Sequence, residues 1–193
     1  MKKKEALVRT AARLFAERGY EGTTTAGIAR EAGVTEPLIY YHFTGKEDLF
    51  NYILERAAET YSERLETLKA DTRTQFEKIA KLIRLHFHIV EEMPHETYLI
   101  ASACPARLSD PDSVCTRTVT SQRAWLKDFL SRCLKAGIRS GEFKKVPLEA
   151  TVIVLIALLN AVLRQRVLGL EDVAGLPAAT VEFCRRSLLK NSA

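Results

Sequence analysis

The apolar residues of this chain recur at helical spacing, and that pattern confines it to an all-α fold. Leu7, Val8, Ala11, Leu14 and Phe15 stand at i, i+1, i+4, i+7 and i+8, one stripe of a 3.6-residue helix. Arg9, Arg13 and Glu17 occupy another face at i, i+4, i+8. Phe76, Ile79, Ala80, Ile83, Phe87 and Val90 repeat the pattern later. No Asn-Gly or Asp-Gly turn separates alternating strands, and nine Gly and six Pro in 193 residues are too few for a turn-rich β protein. With 47% hydrophobic residues the chain has enough apolar surface for a core, which excludes disorder.

Punctuation divides the pattern into about nine helices. Gly19 stops the first, over residues 5 to 18. A short helix runs from Thr24 to Glu31 and ends at Gly33. Thr35 caps a third, with Pro37 in its first turn, where a missing N–H costs nothing. Thr44-Gly45-Lys46-Glu47 fits a capping box and opens a long helix, 45 to 69. Helices over 73–92, 95–104, 113–139, Pro147 to Leu168 and Pro177 to Leu189 follow. The change from short to long helices near residue 46 predicts two domains, 1–46 and 47–193.

The basic start, Met1-Lys2-Lys3-Lys4, leads into no long apolar stretch, so the sequence predicts no secretory signal and a cytoplasmic protein. The apolar run Ala150 to Leu163 is shorter than the roughly 20 residues of a spanning helix and reads as a buried or interfacial one. Cys104, Cys115, Cys133 and Cys184 lack Cys-x-x-Cys spacing and are expected to be free thiols.

Residues 24 to 43 carry the functional signal. Ala29, Gly33 and Ile39 have the spacing of a helix-turn-helix. The small residue admits close approach, Gly takes the turn, and the aliphatic residue closes the core with Val34 and Phe43. Glu36, Pro37, Leu38, Tyr40, Tyr41 and His42 then point away from that core. In a recognition helix such side chains meet base edges, thymine methyls and phosphates. Lys46, in the first turn of the next helix, is a cation where the macrodipole favours an anion, so a phosphate there would satisfy both. Thr24 and Thr25 are further phosphate donors, and Lys2, Lys3 and Lys4 read as a basic arm. Over residues 1 to 50, eight Lys and Arg face seven Asp and Glu, so position rather than bulk charge must carry the contact.

Gly19-Tyr20-Glu21-Gly22-Thr23-Thr24-Thr25, Ile28-Ala29, Ala32-Gly33-Val34-Thr35 and Leu38-Ile39-Tyr40-Tyr41-His42-Phe43, followed by Lys46-Glu47-Asp48-Leu49, resemble the N-terminal signature of the TetR family of transcriptional regulators. The resemblance covers about residues 5 to 55. It implies an all-helical homodimer with an N-terminal DNA-binding domain and a C-terminal ligand-binding and dimerisation domain. The usual function is that of a repressor, released from palindromic operator DNA by a small molecule. Thr24, Thr25, Tyr40, Tyr41, His42 and Lys46 match DNA-contacting positions, and Glu36, Pro37 and Leu38 match the base-facing start of the recognition helix. Pro37 and Ala26 depart from the usual pattern, which bears on the operator sequence. An activator or architectural protein with the same head is the alternative.

Beyond residue 55 no motif is specific. A helical seam of Val152, Leu155, Ile156, Leu159, Val162 and Leu163 with Val181, Cys184 and Leu188 is the expected dimer interface. Phe87, Met93, Tyr98, Cys104, Trp125, Phe129 and Cys133 are candidates for an effector pocket, and their character suggests a hydrophobic or aromatic effector. His86 and His88 fall on opposite sides of a helix, so with Glu92 and His95 they do not read as a metal site. No metal or cofactor is expected. A Cys/His hydrolase built on Cys104 or Cys133 with His86 or His88 lacks any supporting motif, and no enzymatic activity is expected.

Overall fold

The computed structural model describes residues 2–69, 74–103, 110–167, 169 and 174–190. Among these lie nine α-helices: α1 (Lys2–Arg18), α2 (Thr25–Ala32), α3 (Glu36–His42), α4 (Lys46–Glu66), α5 (Gln75–Glu92), α6 (Pro94–Tyr98), α7 (Val114–Ser140), α8 (Leu148–Val167) and α9 (Leu176–Leu188). A 3₁₀ turn (Thr67–Lys69) follows α4 and a π-helical turn (Leu99–Ala103) follows α6. The described residues form no strand, only an isolated bridge between Phe143 and Leu189. The all-α expectation holds.

The chain forms two compact units, residues 1–60 with 93–119, and 61–92 with 120–193. The boundary expected after residue 46 falls at the first residue of α4.

In the first unit, the stripe read from the sequence is the core of the head. Leu7, Ala11, Leu14 and Phe15 of α1 are buried with Ile28 of α2, Ile39 of α3, and Leu49, Phe50 and Ile53 of α4. Phe50 packs edge-on to Phe15 and to Tyr20, with centroids 5.2 Å apart in both pairs. Arg13 and Arg18 of α1 both reach Glu31 of α2, at 3.2 and 3.3 Å. These exposed pairs orient the helices more than they stabilise them. Thr23 is a buried latch: its hydroxyl is shared between the carbonyls of Gly19 (2.8 Å) and Leu14 (3.1 Å).

In the second unit, α8 and α9 both pack on α5. The Glu142 carboxylate accepts from the backbone N–H groups of Gln75 (2.9 Å) and Phe76 (2.7 Å), so a residue after α7 caps the start of α5. Lys144 N–H donates to Leu188 O at 2.8 Å, and Lys190 N–H to Glu142 O at 3.3 Å, tying the end of α9 to the same segment.

The free-thiol expectation holds for Cys133 and Cys184, both buried, whereas Cys115 is disulfide-bonded. Cys104 lies outside the described residues.

Candidate nucleic-acid interface

The helix-turn-helix forms where the spacing predicts it. Thr24 caps α2, its hydroxyl oxygen accepting from Gly27 N–H at 3.1 Å. Gly33 turns the chain with φ 66° and ψ 33°, a left-handed conformation cheap only for glycine. Val34 N–H then closes onto Ala29 O at 3.0 Å. Thr35 precedes α3 without a side-chain capping bond, and Pro37 sits in its first turn.

α3 has only seven residues, and just one of its faces is held by the core. Ile39 is wholly buried and Phe43 nearly so. Tyr40 and Tyr41 are 55% and 80% exposed, an apolar area this short helix would not give to water without a partner. Pro37 is exposed, and Glu36, Leu38 and His42 are half-buried. Tyr41 lies edge-on to the His42 ring at 4.8 Å. The Thr25 hydroxyl donates to Glu36 Oε1 at 2.6 Å and lies 3.4 Å from the Tyr40 hydroxyl. The expected residues Thr25, Glu36 and Tyr40 are thus one hydrogen-bonded group across the start of both helices.

Besides the missing Thr35 capping bond, three local expectations change. Lys46 does not extend freely: its ammonium donates to Tyr20 O at 2.9 Å and lies 4.2 Å over the Tyr20 ring. That cation anchors the α1–α2 connection to the start of α4. The lysine arm is helical, since α1 starts at Lys2, and Lys4 lies over the Tyr52 ring at 4.3 Å. The capping box is displaced by one residue. Asp48, not Glu47, reaches back, accepting from Thr44 N–H at 2.8 Å and from its hydroxyl at 3.2 Å.

Burial within the chain divides the residues of the expected dimer seam. Val152, Leu155, Ile156 and Leu159 are buried within the chain on the side of α8 that meets α5, and Cys184 and Leu188 of α9 are likewise inside. Val162, Leu163 and Val181 are half-buried. The apolar residues left outward are Ile153 (57% exposed) and Val154 (60%) on α8 and Phe183 (60%) on α9, with Ala157 and Ala161 beside them. By length and composition Leu148–Gln165 is apolar enough to cross a membrane. Its inward stripe is already committed to α5.

The effector candidates fall in different units. Phe87, Trp125, Phe129 and Cys133 belong to the second, where Trp125 and Phe129 stack at 4.9 Å and Phe87, Phe129 and Cys133 are buried. Met93 and Tyr98 belong to the first, and Cys104 lies outside the described residues. Burial pushes the Cys133 thiol up to about 11, away from a nucleophilic thiolate. Among the described residues no three His, Cys, Asp or Glu side chains gather as a metal site. Glu92 instead receives the Arg64 guanidinium, at 3.1 Å, and His88 Nε2, at 3.1 Å.

Sequence reasoning missed a buried polar pair in the second unit. Tyr61 and His86 touch at 2.8 Å, hydroxyl to Nε2, while His86 Nδ1 lies 2.8 Å from Leu82 O. A carbonyl only accepts, so Nδ1 carries the proton and the Tyr61 hydroxyl donates to Nε2. Burial holds the His86 imidazole below its ordinary value of 6.5 and pushes the Tyr61 phenol up. Below pH 6.5 the unfolded histidine takes a proton that the folded one refuses. Stability is therefore lost as pH falls through that value, by up to about 1.4 kcal/mol per pH unit until His86 itself titrates. Thermal unfolding between pH 7.5 and 5.5 should show this slope in the native chain and a flatter one in His86→Gln. Equal slopes would place the acid sensitivity elsewhere.

A head of this geometry defines a helix-turn-helix DNA-binding protein. Residues 7–64 match the family described as bacterial regulatory proteins, tetR family. That match spans α1 to α4, so the head of this chain is similar to the heads of that family. It is 28% identical over 145 residues to the HTH-type transcriptional repressor KstR2 of Mycolicibacterium smegmatis, covering 74% of this chain and 68% of that protein. In fold it resembles the ketosteroid transcriptional regulator KstR2 of Mycobacterium tuberculosis, with TM-score 0.81, 19% identity, and 99% and 96% of the two chains covered. It also resembles FadR of Bacillus subtilis, solved in complex with stearoyl-CoA, with TM-score 0.68, 21% identity, and 93% and 96% covered.

Proposed function

We propose that this protein is a cytoplasmic homodimeric repressor that binds palindromic operator DNA and leaves it when a small apolar effector binds. Residues 1–46 form the reading head in this proposal, and 47–193 the ligand-binding and dimerising part. The observation that carries the DNA reading is the outward pair Tyr40 and Tyr41 on a short helix whose inward residues are buried. Phenol hydroxyls reach phosphates and ring edges meet thymine methyls in the major groove. Pro37 and Leu38 would approach the bases, and Thr24, His42 and Lys46 the backbone. The Lys46 ammonium keeps donors beyond the one Tyr20 takes, while Thr25 would reach a phosphate by releasing Glu36. One Glu36 oxygen holds Thr25, and the carboxylate is suited to accept from a cytosine amine.

The KstR2 relative is a named repressor, and the similar FadR was solved with a fatty acyl thioester. The first supports repression and, with the ketosteroid regulator of similar fold, a steroid-like effector; the second supports an amphiphilic acyl one. Effector binding would displace α4 as a lever and move the two recognition helices off the roughly 34–36 Å spacing of successive major grooves.

Tyr41→Ala should weaken binding to a selected operator by about ten- to a hundredfold, equivalent to 1–3 kcal/mol, and relax sequence preference. Fluorescence anisotropy on operator and scrambled duplexes measures both. Unchanged affinity on both duplexes would remove α3 from the interface.

A further inference from the structure

We infer that the cleft between α1, α4 and α6 is a binding site for a small amphipathic carboxylate. The cleft measures about 460 Å³, within the range of small-molecule sites, and lies wholly in the first unit. Its floor is apolar: Val8 of α1, Ile53 and Ala57 of α4, and Met93 beside α6. Its rim is charged. α1 contributes Glu5 and Arg9, α4 contributes Arg56 and the Thr60 hydroxyl, and α6 contributes Glu96.

None of these four charged side chains has an ion pair or side-chain hydrogen bond among the described residues, although all four line one cleft. Elsewhere in the same unit Arg13 and Arg18 are engaged with carboxylates, both of them with Glu31. Arg9 and Arg56 keep ten guanidinium N–H donors between them for a ligand, in forks that suit a carboxylate. Glu5 and Glu96 balance their charge. A single carboxylate is held by the arginines at modest cost, a dianion is repelled by the glutamates, and the apolar floor takes a chain. A ligand seated there touches α1 and α4 together, and α4 begins at the Lys46 anchor beside the recognition helix.

The site goes beyond the proposed operator binding, and its test uses no DNA. Met93 is one of two methionines in the chain, so its ¹³C-methyl signal reports the cleft floor directly, assigned by loss in Met93→Leu. The lone tryptophan, Trp125, belongs to the second unit and reports separately by fluorescence. Decanoate, decanol and decyltrimethylammonium are titrated below their aggregation limits into the full chain. The expected result is a saturable Met93 shift with decanoate and a weaker or absent one with the other two. In Arg9→Gln/Arg56→Gln the decanoate affinity should fall about tenfold or more while the melting temperature holds, since both side chains are exposed and have no partner among the described residues. A Met93 signal unmoved by decanoate overturns the site. So does equal response to all three compounds, or undiminished decanoate affinity in the double variant. A Trp125 response without a Met93 response would locate carboxylate binding elsewhere and equally overturn it.

Discussion

Val154→Asp should convert the protein to monomers and reduce operator affinity by two orders of magnitude or more. Among the described residues, Ile153, Val154 and Phe183 are the exposed large apolar ones of the second unit. The inward residues of α8 are spent on α5, so a second copy has only the opposite side of the helix to cover. A carboxylate at the centre of that cover would be buried unpaired, which costs several kcal/mol and exceeds what one apolar contact returns. Affinity for a palindrome falls with it, because the second half-site is then no longer engaged within one molecule. The loss of that effective concentration is worth about 10²- to 10⁴-fold. Sedimentation velocity measures the association and anisotropy the affinity. Ala124→Asp, exposed on α7, serves as a surface control. A dimeric Val154→Asp protein with native affinity would move the interface off this face.

Gly137→Val should destabilise the second unit by about 3 kcal/mol, lowering the melting temperature by roughly 6–12 °C. Glycine inside α7 is unfavourable by about 1 kcal/mol against alanine, so propensity alone predicts that a side chain would help. Packing decides otherwise. A Cβ at Gly137 would lie 2.2 Å from Phe143 Cδ2 and 2.4 Å from Cε2, and Phe143 is 1% exposed with nowhere to retreat. Phe143 N–H also donates to Gly137 O at 3.0 Å, so ring and backbone are fixed on the same residue. The double variant Gly137→Val/Phe143→Leu should recover part of the loss, a coupling readable in a double-mutant cycle. Additive effects would mean the ring is not what excludes the side chain.

How far the sequence could be read follows from the range of each interaction. Gly33, Ile39 and Phe43 were legible because turn chemistry and helical spacing are local, and the head assembles within some fifty residues. Helix ends moved by only a few positions for the same reason. The Lys46 anchor was not legible, since electrostatics at a helix start point to an anion while the nearest partner is a carbonyl and ring 26 residues away. Glu142 capping Gln75 spans 67 residues, and Tyr61 meeting His86 spans 25. Neither pair leaves a periodic trace. The rotation of α8 was not legible for a different reason. Ala150 to Leu163 is apolar nearly all round, so no stripe distinguishes the inward face from the outward one, and only packing on α5 selects it.

The proposed function requires two copies of α3 to read one duplex together. Selection of the purified protein against a random double-stranded library, followed by native mass determination on the enriched duplex, tests it most directly. The expected result is an inverted repeat whose half-site centres are one helical turn apart, or a multiple of it, occupied by two chains or a multiple of two. Enrichment of no sequence at low ionic strength, or of a single half-site bound by one chain, would contradict it.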